Sequence, residues 1–185
     1  MSEYFFVVES TSMPYYVFPE KYAEVLPSPI FVYPQEPIPL FADIKPDVDY
    51  KVQDFIKFPG ISFSERVCEN AGLQYIYGVN WAPVVINDSR EYNFYMAQVA
   101  NRIECIDLNR SEYKKVSRSG RISGLNKVVL DDDKLNKIPE NRRLMFVCKG
   151  WGAVLFHHSL VEKIMRVEPM GLEFISVDDY TKGMF

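Results

Sequence analysis

Residues His157 to Val177 read HHSLVEKIMRVEPMGLEFISV, and the same arrangement occurs once earlier. Shifted back by 93 positions, the stretch falls without a gap on Ser64 to Val84, SERVCENAGLQYIYGVNWAPV. Phe156 then matches Phe63, Leu160 and Val161 match Val67 and Cys68, Ile164 matches Ala71, and Glu162 matches Glu69. Further on, Gly171-Leu172-Glu173-Phe174 matches Gly78-Val79-Asn80-Trp81. In the earlier copy Ile61 to Phe63 is extended, Ser62 or Ser64 caps a helix with Glu65 in its first turn, and Val67, Cys68 and Ala71 form its apolar face. Gly78 lets the chain reverse, and Trp81 to Ile86 returns as a strand. Each copy is therefore a strand, an amphipathic helix, a glycine and a second strand. Such a passage favours a right-handed crossover if its strands are parallel, a direction the sequence leaves open.

Working outward, Tyr4 to Val8 (YFFVV) is β-branched and aromatic and reads as a first strand. Between Met13 and Pro46 eight prolines crowd a segment that also holds Tyr15, Tyr16, Phe18, Phe31, Tyr33 and Phe41. Proline removes backbone donors, so neither a long helix nor a central strand is expected there, only a short helix over Glu20 to Val25. Two readings stand for these aromatics: an extended wrap that plugs the core, or a surface that a partner recognises. Asp54 to Phe58 (DFIKF) reads as a strand or helix end before the turn at Pro59-Gly60.

Glu91 to Ala100 alternates Tyr92, Phe94 and Met96 against Asn93, Tyr95 and Ala97, which is strand periodicity. Asn101-Arg102 is read as the turn of a hairpin joining it to Ile103 to Leu108. Lys127 to Leu130 is a short strand ended by Asp131-Asp132-Asp133, and Leu144 to Cys148 is apolar enough for a central strand. Lys149-Gly150-Trp151-Gly152 turns the chain into the second unit, and the tail from Asp178 to Phe185 is expected to fray. The fold class is thus α+β, a mixed or mostly antiparallel sheet with two similar strand-helix-strand units and few helices. One domain is expected over residues 1–185, with a proline- and aromatic-rich wrap over 1–53, a core over 54–177 and a tail over 178–185.

The start of the chain has no basic n-region, and its apolar run is too short for a signal core or a membrane span, so a cytoplasmic protein with no membrane association is expected. Cys68, Cys105 and Cys148 are widely spaced and odd in number, which indicates buried thiols instead of a disulfide framework or a zinc knuckle. A net charge of −4 argues against general nucleic-acid affinity. Aromatic residues make up 15% of the chain, enough to supply a binding surface as well as a core.

The candidate chemistries thin out quickly. His157-His158 is the only histidine pair; it occupies the place of Ser64-Glu65 in the first copy and reads as a helix start, since a metal needs at least three converging ligands. The Asp131 to Asp133 run lacks the glycine and spaced oxygens of a cation loop and reads as a solvated strand end. No glycine elbow surrounds Ser64, and no glycine-rich phosphate loop occurs. No catalytic residue, metal or cofactor is therefore expected. The sharpest charge feature is the segment from Asn109 to Gly124, where Arg110, Lys114, Lys115, Arg118 and Arg121 stand against Glu112 alone. It reads either as a loop kept soluble by charge or as a docking arm for an acidic surface or phosphate. Trp81 and Phe174 are expected in the core, and Trp151, between two glycines, is expected to be exposed.

The order of these motifs resembles immunity protein family eleven of bacterial polymorphic toxin systems, formerly a domain of unknown function. The residues that carry the resemblance are Ile61 to Val67, Trp81-Ala82-Pro83-Val84, Tyr95 to Asp107 with Ser111-Glu112-Tyr113, Lys127 to Asp131, Met145-Phe146 and Gly171-Leu172-Glu173-Phe174. They span about Asp54 to Val177. Two places depart from it: His157-His158 stands where Ser-Glu is usual, and no arginine follows Phe146. The resemblance implies a cytoplasmic α+β protein encoded beside a toxin, which it binds and blocks without catalysis of its own. On that basis the partner-binding candidates are Arg110, Lys114, Lys115, Arg118, Arg121 and Trp151. The alternatives are an enzyme or binding protein for a small phosphorylated or acidic ligand, using the basic loop over residues 110–121, and an adaptor of a secretion apparatus.

Overall fold

The structure is a computed structural model that describes residues 3–10, 14–20, 33–44, 50–88 and 90–181. In chain order come β1 (Tyr4–Glu9), β2 (Tyr15–Val17), β3 (Ile38–Ile44), β4 (Phe55–Ile56), β5 (Ser62–Ser64), α1 (Glu65–Ala71), β6 (Val79–Asn87), β7 (Glu91–Val99) and β8 (Arg102–Ile103). Then follow β9 (Lys115–Val116), β10 (Ile122–Ser123), α2 (Asp132–Asn136), β11 (Met145–Cys148), β12 (Val154–His157), α3 (His158–Met165) and β13 (Leu172–Ser176). The strands form a five-stranded sheet ordered β13-β1-β12-β11-β8, a six-stranded sheet ordered β2-β3-β6-β7-β5-β4, and the β9–β10 ribbon. This is the expected α+β architecture.

The repeat is structural. The Ser64 hydroxyl accepts the Val67 N–H at the start of α1, and His157 Nδ1 accepts the Ser159 N–H at the start of α3. In the first unit β7 lies antiparallel between β5 and β6, so β5 and β6 run parallel with one strand inserted. In the second unit β1 lies in the same way between β12 and β13. The registers coincide. Tyr95 of β7 faces Phe63 and Pro83, while Phe5 of β1 faces Phe156 and Ser176, each of these two 93 positions further on. Ala97 faces Trp81 as Val7 faces Phe174. The inserted strands differ only in origin: β7 follows β6 through a hairpin, whereas β1 arrives from the beginning of the chain. Residues 4–9 therefore belong to the core, not to a wrap around it.

The two units pack against each other through their apolar faces. Phe63 and Phe156 meet edge to face with ring centroids 6.4 Å apart, and Phe55, Trp81 and Phe174 extend the aromatic contact. Val67, Cys68, Ala71, Leu160 and Ile164, the helix faces read from the sequence, close the same cluster. Alternation sends Tyr4, Phe6, Phe146, Cys148 and Leu155 to the opposite face of the five-stranded sheet, where Cys105, Ile106, Leu130 and Leu135 cover them. On the far face of the six-stranded sheet, Ile38, Leu40, Val84, Ile86 and Phe94 pack around Tyr16.

A buried carboxylate ties the units together. Asp54 accepts hydrogen bonds from the Ser64 hydroxyl at 2.6 Å, Arg66 Nη2 at 2.6 Å and the Met170 N–H at 2.9 Å, while Arg66 Nη1 donates to the Val167 carbonyl. Burial works to raise the Asp54 carboxyl, but the hydrogen bonds from Arg66, Ser64 and Met170 outweigh it and hold the group below its ordinary range.

Four expectations change. The hairpin at Asn101-Arg102 does not form: both edges of β7 are already taken by β6 and β5, so the chain crosses to the other sheet, where β8 pairs parallel with β11. Asn101 Nδ2 donates to the Arg142 and Met145 carbonyls at the crossing, and a Cβ on Gly78 (φ +70°) would lie 2.8 Å from Asn101 Cβ, which fixes the glycine there. Lys127 to Leu130 makes two isolated bridges, to Glu112 and Ile106, in place of a continuous strand. Asp131 is more than a solvated strand end, because its carboxylate accepts the Lys134 N–H and caps α2.

The fourth change concerns the proline-rich segment, which supplies an interior strand, β3, despite Pro39. The register with β2 begins only at Phe41, so at Pro39 one edge is open and no donor is missed there. Tyr16 plugs the core, whereas Tyr15 and Phe41 are 60% and 51% exposed, so the core-plugging reading holds for Tyr16 and not for those two. The helix expected over Glu20 to Val25 falls, beyond Glu20, outside the described residues, as does Phe31. The tail is packed as far as Tyr180, whose ring lies 4.9 Å from that of Trp151.

Two outcomes follow. Phe63→Ala or Phe156→Ala should lower stability by about 3–5 kcal/mol in urea unfolding, and the double variant should lose less than the sum, because the two rings share one cavity. Asp54→Asn should cost about 1–3 kcal/mol at pH 7. Since the folded Asp54 titrates below its ordinary 3.8, its contribution is complete at neutral pH and is lost as pH falls through the region below 3.8. The variant's stability should accordingly fall less steeply with acid than the parent's.

Candidate functional site

The β9–β10 ribbon holds four of the cations singled out in the sequence. Ile122 faces Val116 and Ser123 faces Lys115 across the ladder, and Ser117 N–H donates to the Arg121 carbonyl at 2.8 Å, closing a tip that contains Arg118 and Gly120. The Ser117 hydroxyl accepts the Arg121 N–H at 2.9 Å and stiffens the turn. Lys114, Lys115, Arg118 and Arg121 are all exposed and none takes part in an ion pair among the described residues. Between Tyr113 and Gly124 no carboxylate offsets them.

The ribbon is anchored rather than loose. Ile122 is buried in the core beneath the five-stranded sheet, and its N–H donates to the Gly150 carbonyl at 2.8 Å. A Cβ on Gly150 (φ +89°) would sit 2.8 Å from the Gly120 carbonyl oxygen, so only glycine lets the β11–β12 turn approach the ribbon this closely. Trp151 follows directly. Its ring stands edge-on to Phe6 at 5.0 Å and to Tyr180 at 4.9 Å, so it is half-buried and not the free side chain expected from its flanking glycines.

One side of Trp151 lines an apolar groove of about 390 Å³ shared with Phe6, Val7, Phe58, Ile61 and Val154. Phe58 is 47% exposed, Tyr15 lies 5.7 Å from it ring to ring, and Lys57 Nζ sits 5.6 Å over the Phe58 ring. The groove thus runs between the β4–β5 turn and the β11–β12 turn. These two turns are equivalents in the repeat: the shift that matches Phe63 to Phe156 also matches Phe58 to Trp151. Phe58 and Lys57 are not read from the sequence as site residues, whereas Tyr15 is among the aromatics weighed as a partner surface; the signal for Phe58 is present, since the repeat extends in front of its obvious helical part.

Arg110 does not join this face. Its Nε donates to Asp107 at 2.6 Å and its Nη2 to the Leu130 carbonyl at 3.1 Å. The Arg110 hydrogen bond holds the exposed Asp107 carboxyl below its ordinary range. Arg110 lines a separate polar cleft of about 430 Å³ with Glu3, Asp132 and Asp178. Three carboxylates beside one paired guanidinium do not attract an anion.

The histidines divide as their helix-start positions require. His157 is buried with its ring 5.4 Å from Tyr4, and His158 is exposed near Glu162. Burial pushes His157 below its ordinary pKa, with partial compensation from Glu140. Ser159 is held in turn by its hydroxyl, which donates to Glu140 Oε1 at 2.7 Å. All three thiols are buried, with Cys105 and Cys148 sulfurs 3.4 Å apart. The contact with Cys148, together with burial, pushes the Cys105 thiol up, and burial does the same to Cys68. Thiolate nucleophiles are therefore suppressed.

No protein-family model matches the chain, and no curated protein does either. Among the described residues no helix is long and apolar enough to cross a membrane. The burial of the cysteines predicts that DTNB leaves the native protein unmodified over minutes and labels all three thiols once urea unfolds it. Rapid labelling of the native form would show that the sheet opens.

Proposed function

We propose that the protein is a non-catalytic immunity protein that binds and neutralises a cognate bacterial toxin domain, using the face built by the β9–β10 ribbon and the Phe58–Trp151 groove. The family part of this reading is carried by the motif series from Ile61 to Phe174 that resembles immunity protein family eleven. The binding part is carried by one observation: an open aromatic groove adjoins four exposed, unpaired cations on a ribbon pinned to the core. That combination matches how protein interfaces divide their labour, with desolvated aromatic anchors inside and charge at the rim. The groove is too open and too poor in converging polar groups to hold a small substrate in one orientation. The carboxylate-lined cleft at Arg110 likewise disfavours the acidic small ligand weighed from the sequence.

Co-expression with a toxin domain encoded next to the gene is the test. Growth rescue together with retention of the toxin on the tagged protein is the expected result, and Trp151→Ala should weaken retention by about tenfold or more, as for an interface anchor. Toxin activity that persists alongside abundant folded protein, with no complex recovered, would rule the reading out.

A further inference from the structure

The face has two parts with different chemistry, and they are fixed relative to each other. The Ile122 N–H to Gly150 carbonyl bond and the close approach of Gly150 to the Gly120 carbonyl join the turn end of the ribbon to the turn that carries Trp151, which lines the groove. Arg118 and Arg121 lie in the turn closed between Ser117 and Arg121 beside that contact, and Lys115 and Lys114 sit further along the ladder, opposite Ser123. Any single segment that fills the groove therefore has its flanks within reach of Lys114, Lys115, Arg118 and Arg121.

We infer that the partner engages this face through an acidic segment of a protein, whose one bulky apolar side chain enters the groove between Phe58 and Trp151 while carboxylates within about four residues of it pair with the ribbon cations. The inference rests on reading this face as a protein-binding surface, but not on the partner being a toxin. Charge decides among anionic partners. Removing the four ribbon charges from the formal net charge of −4 leaves a body at −8. A duplex presents one negative charge per about 1.7 Å along its whole length, so beyond the ribbon it would meet an acidic body. An anionic membrane presents an extended sheet of the same sign, with the same result. A protein segment can confine its carboxylates to the ribbon's footprint and offer the apolar side chain that the groove accepts, which neither of the others does.

Two tryptophans, Trp81 and Trp151, make the test direct, because Trp81 Nε1 is tied to the Leu73 carbonyl away from the groove and Trp151 lines it. The full chain is titrated, at low salt, with a short synthetic peptide carrying a central phenylalanine flanked by aspartate and glutamate. Parallel arms use the same peptide with the phenylalanine replaced by alanine, a peptide with lysine flanks, a single-stranded oligonucleotide, and phosphatidylserine-containing vesicles. The acidic phenylalanine peptide alone should give a saturable change in tryptophan emission, weakened about tenfold or more when salt is raised to several Debye lengths' worth of screening. Arg118→Glu combined with Arg121→Glu should weaken it at least as much while leaving the thermal melt unchanged, because both side chains are exposed. Trp151→Phe should keep the affinity, read by competition, and lose the spectral change. No saturable response up to millimolar peptide, an equal response to the alanine or lysine peptide, or a stronger response to the oligonucleotide or vesicles would overturn the inference. If a toxin complex forms but is indifferent to Arg118→Glu with Arg121→Glu, the immunity reading stands and the inference falls. If no toxin binds, the peptide titration still decides it.

Discussion

The edge-to-face contact of Phe63 with Phe156 is the constraint on which the rest of the structure depends. Each strand-helix-strand unit has one apolar side, made by the strand before its helix and by the helix face itself, and neither unit can bury that side alone. Stacking the two copies removes both from water at once, and the aromatic geometry adds about 0.5–1.5 kcal/mol per pair beyond the area buried. The consequence for topology is direct. Once the helices face inward, each unit has a gap between its parallel strands, and the gap must be filled by an antiparallel strand. The chain fills one with β7, which follows β6 directly, and the other with β1, from the beginning of the described chain, yet pairs both in the same register. Asp54 then fixes how the units sit, because its three donors come from the start of α1 and from the segment between α3 and β13.

What the sequence disclosed follows from this arrangement. The repeat, its helix faces and caps, the buried thiols and the strand from Leu144 to Cys148 were legible because each is written in local periodicity or in residues a fixed distance apart. Pairing was not. Glu91 to Ala100 has the alternation of a strand, but whether it turns back onto Ile103 or crosses to another sheet depends on which edges are free, and that is a property of distant residues. Pro39 reads as a strand breaker until it is known that β2 begins to pair only at Phe41. The aspartate run concealed a helix of only five residues, too short for a hydrophobic period, whose sole signal is the cap itself.

The site divides in the same way. Lys114, Lys115, Arg118 and Arg121 announce themselves by local charge density, and they do sit together, exposed, on one ribbon. Arg110 belongs to the same run in sequence but is withdrawn by Asp107, three residues before it, which local counting of positive charges ignores. Phe58 and Trp151 are separated by half of the chain, and the internal repeat relates them. The repeat that organises the scaffold also places an aromatic residue on each of two equivalent turns, and the groove lies between those turns.

This origin explains why the two parts of the face suit different tasks. A groove walled by Phe6, Phe58 and Trp151 would gain about 25 cal/mol for each Å² of apolar surface removed from water, and on the proposed reading would govern how long a partner stays. Exposed ribbon cations gain little from any single pair in water, typically under about 1 kcal/mol. Their contrast with a body of opposite sign gives the molecule a charge asymmetry of the kind that would orient an approaching partner before contact. Burying the ribbon charges would forfeit that steering for desolvation, and a neutral ribbon would leave the groove to be found by unguided collision. Holding four lysines and arginines on a short ladder whose turn is fastened to Gly150 beside the groove would, on the proposed reading, let arrival and retention be set by separate residues.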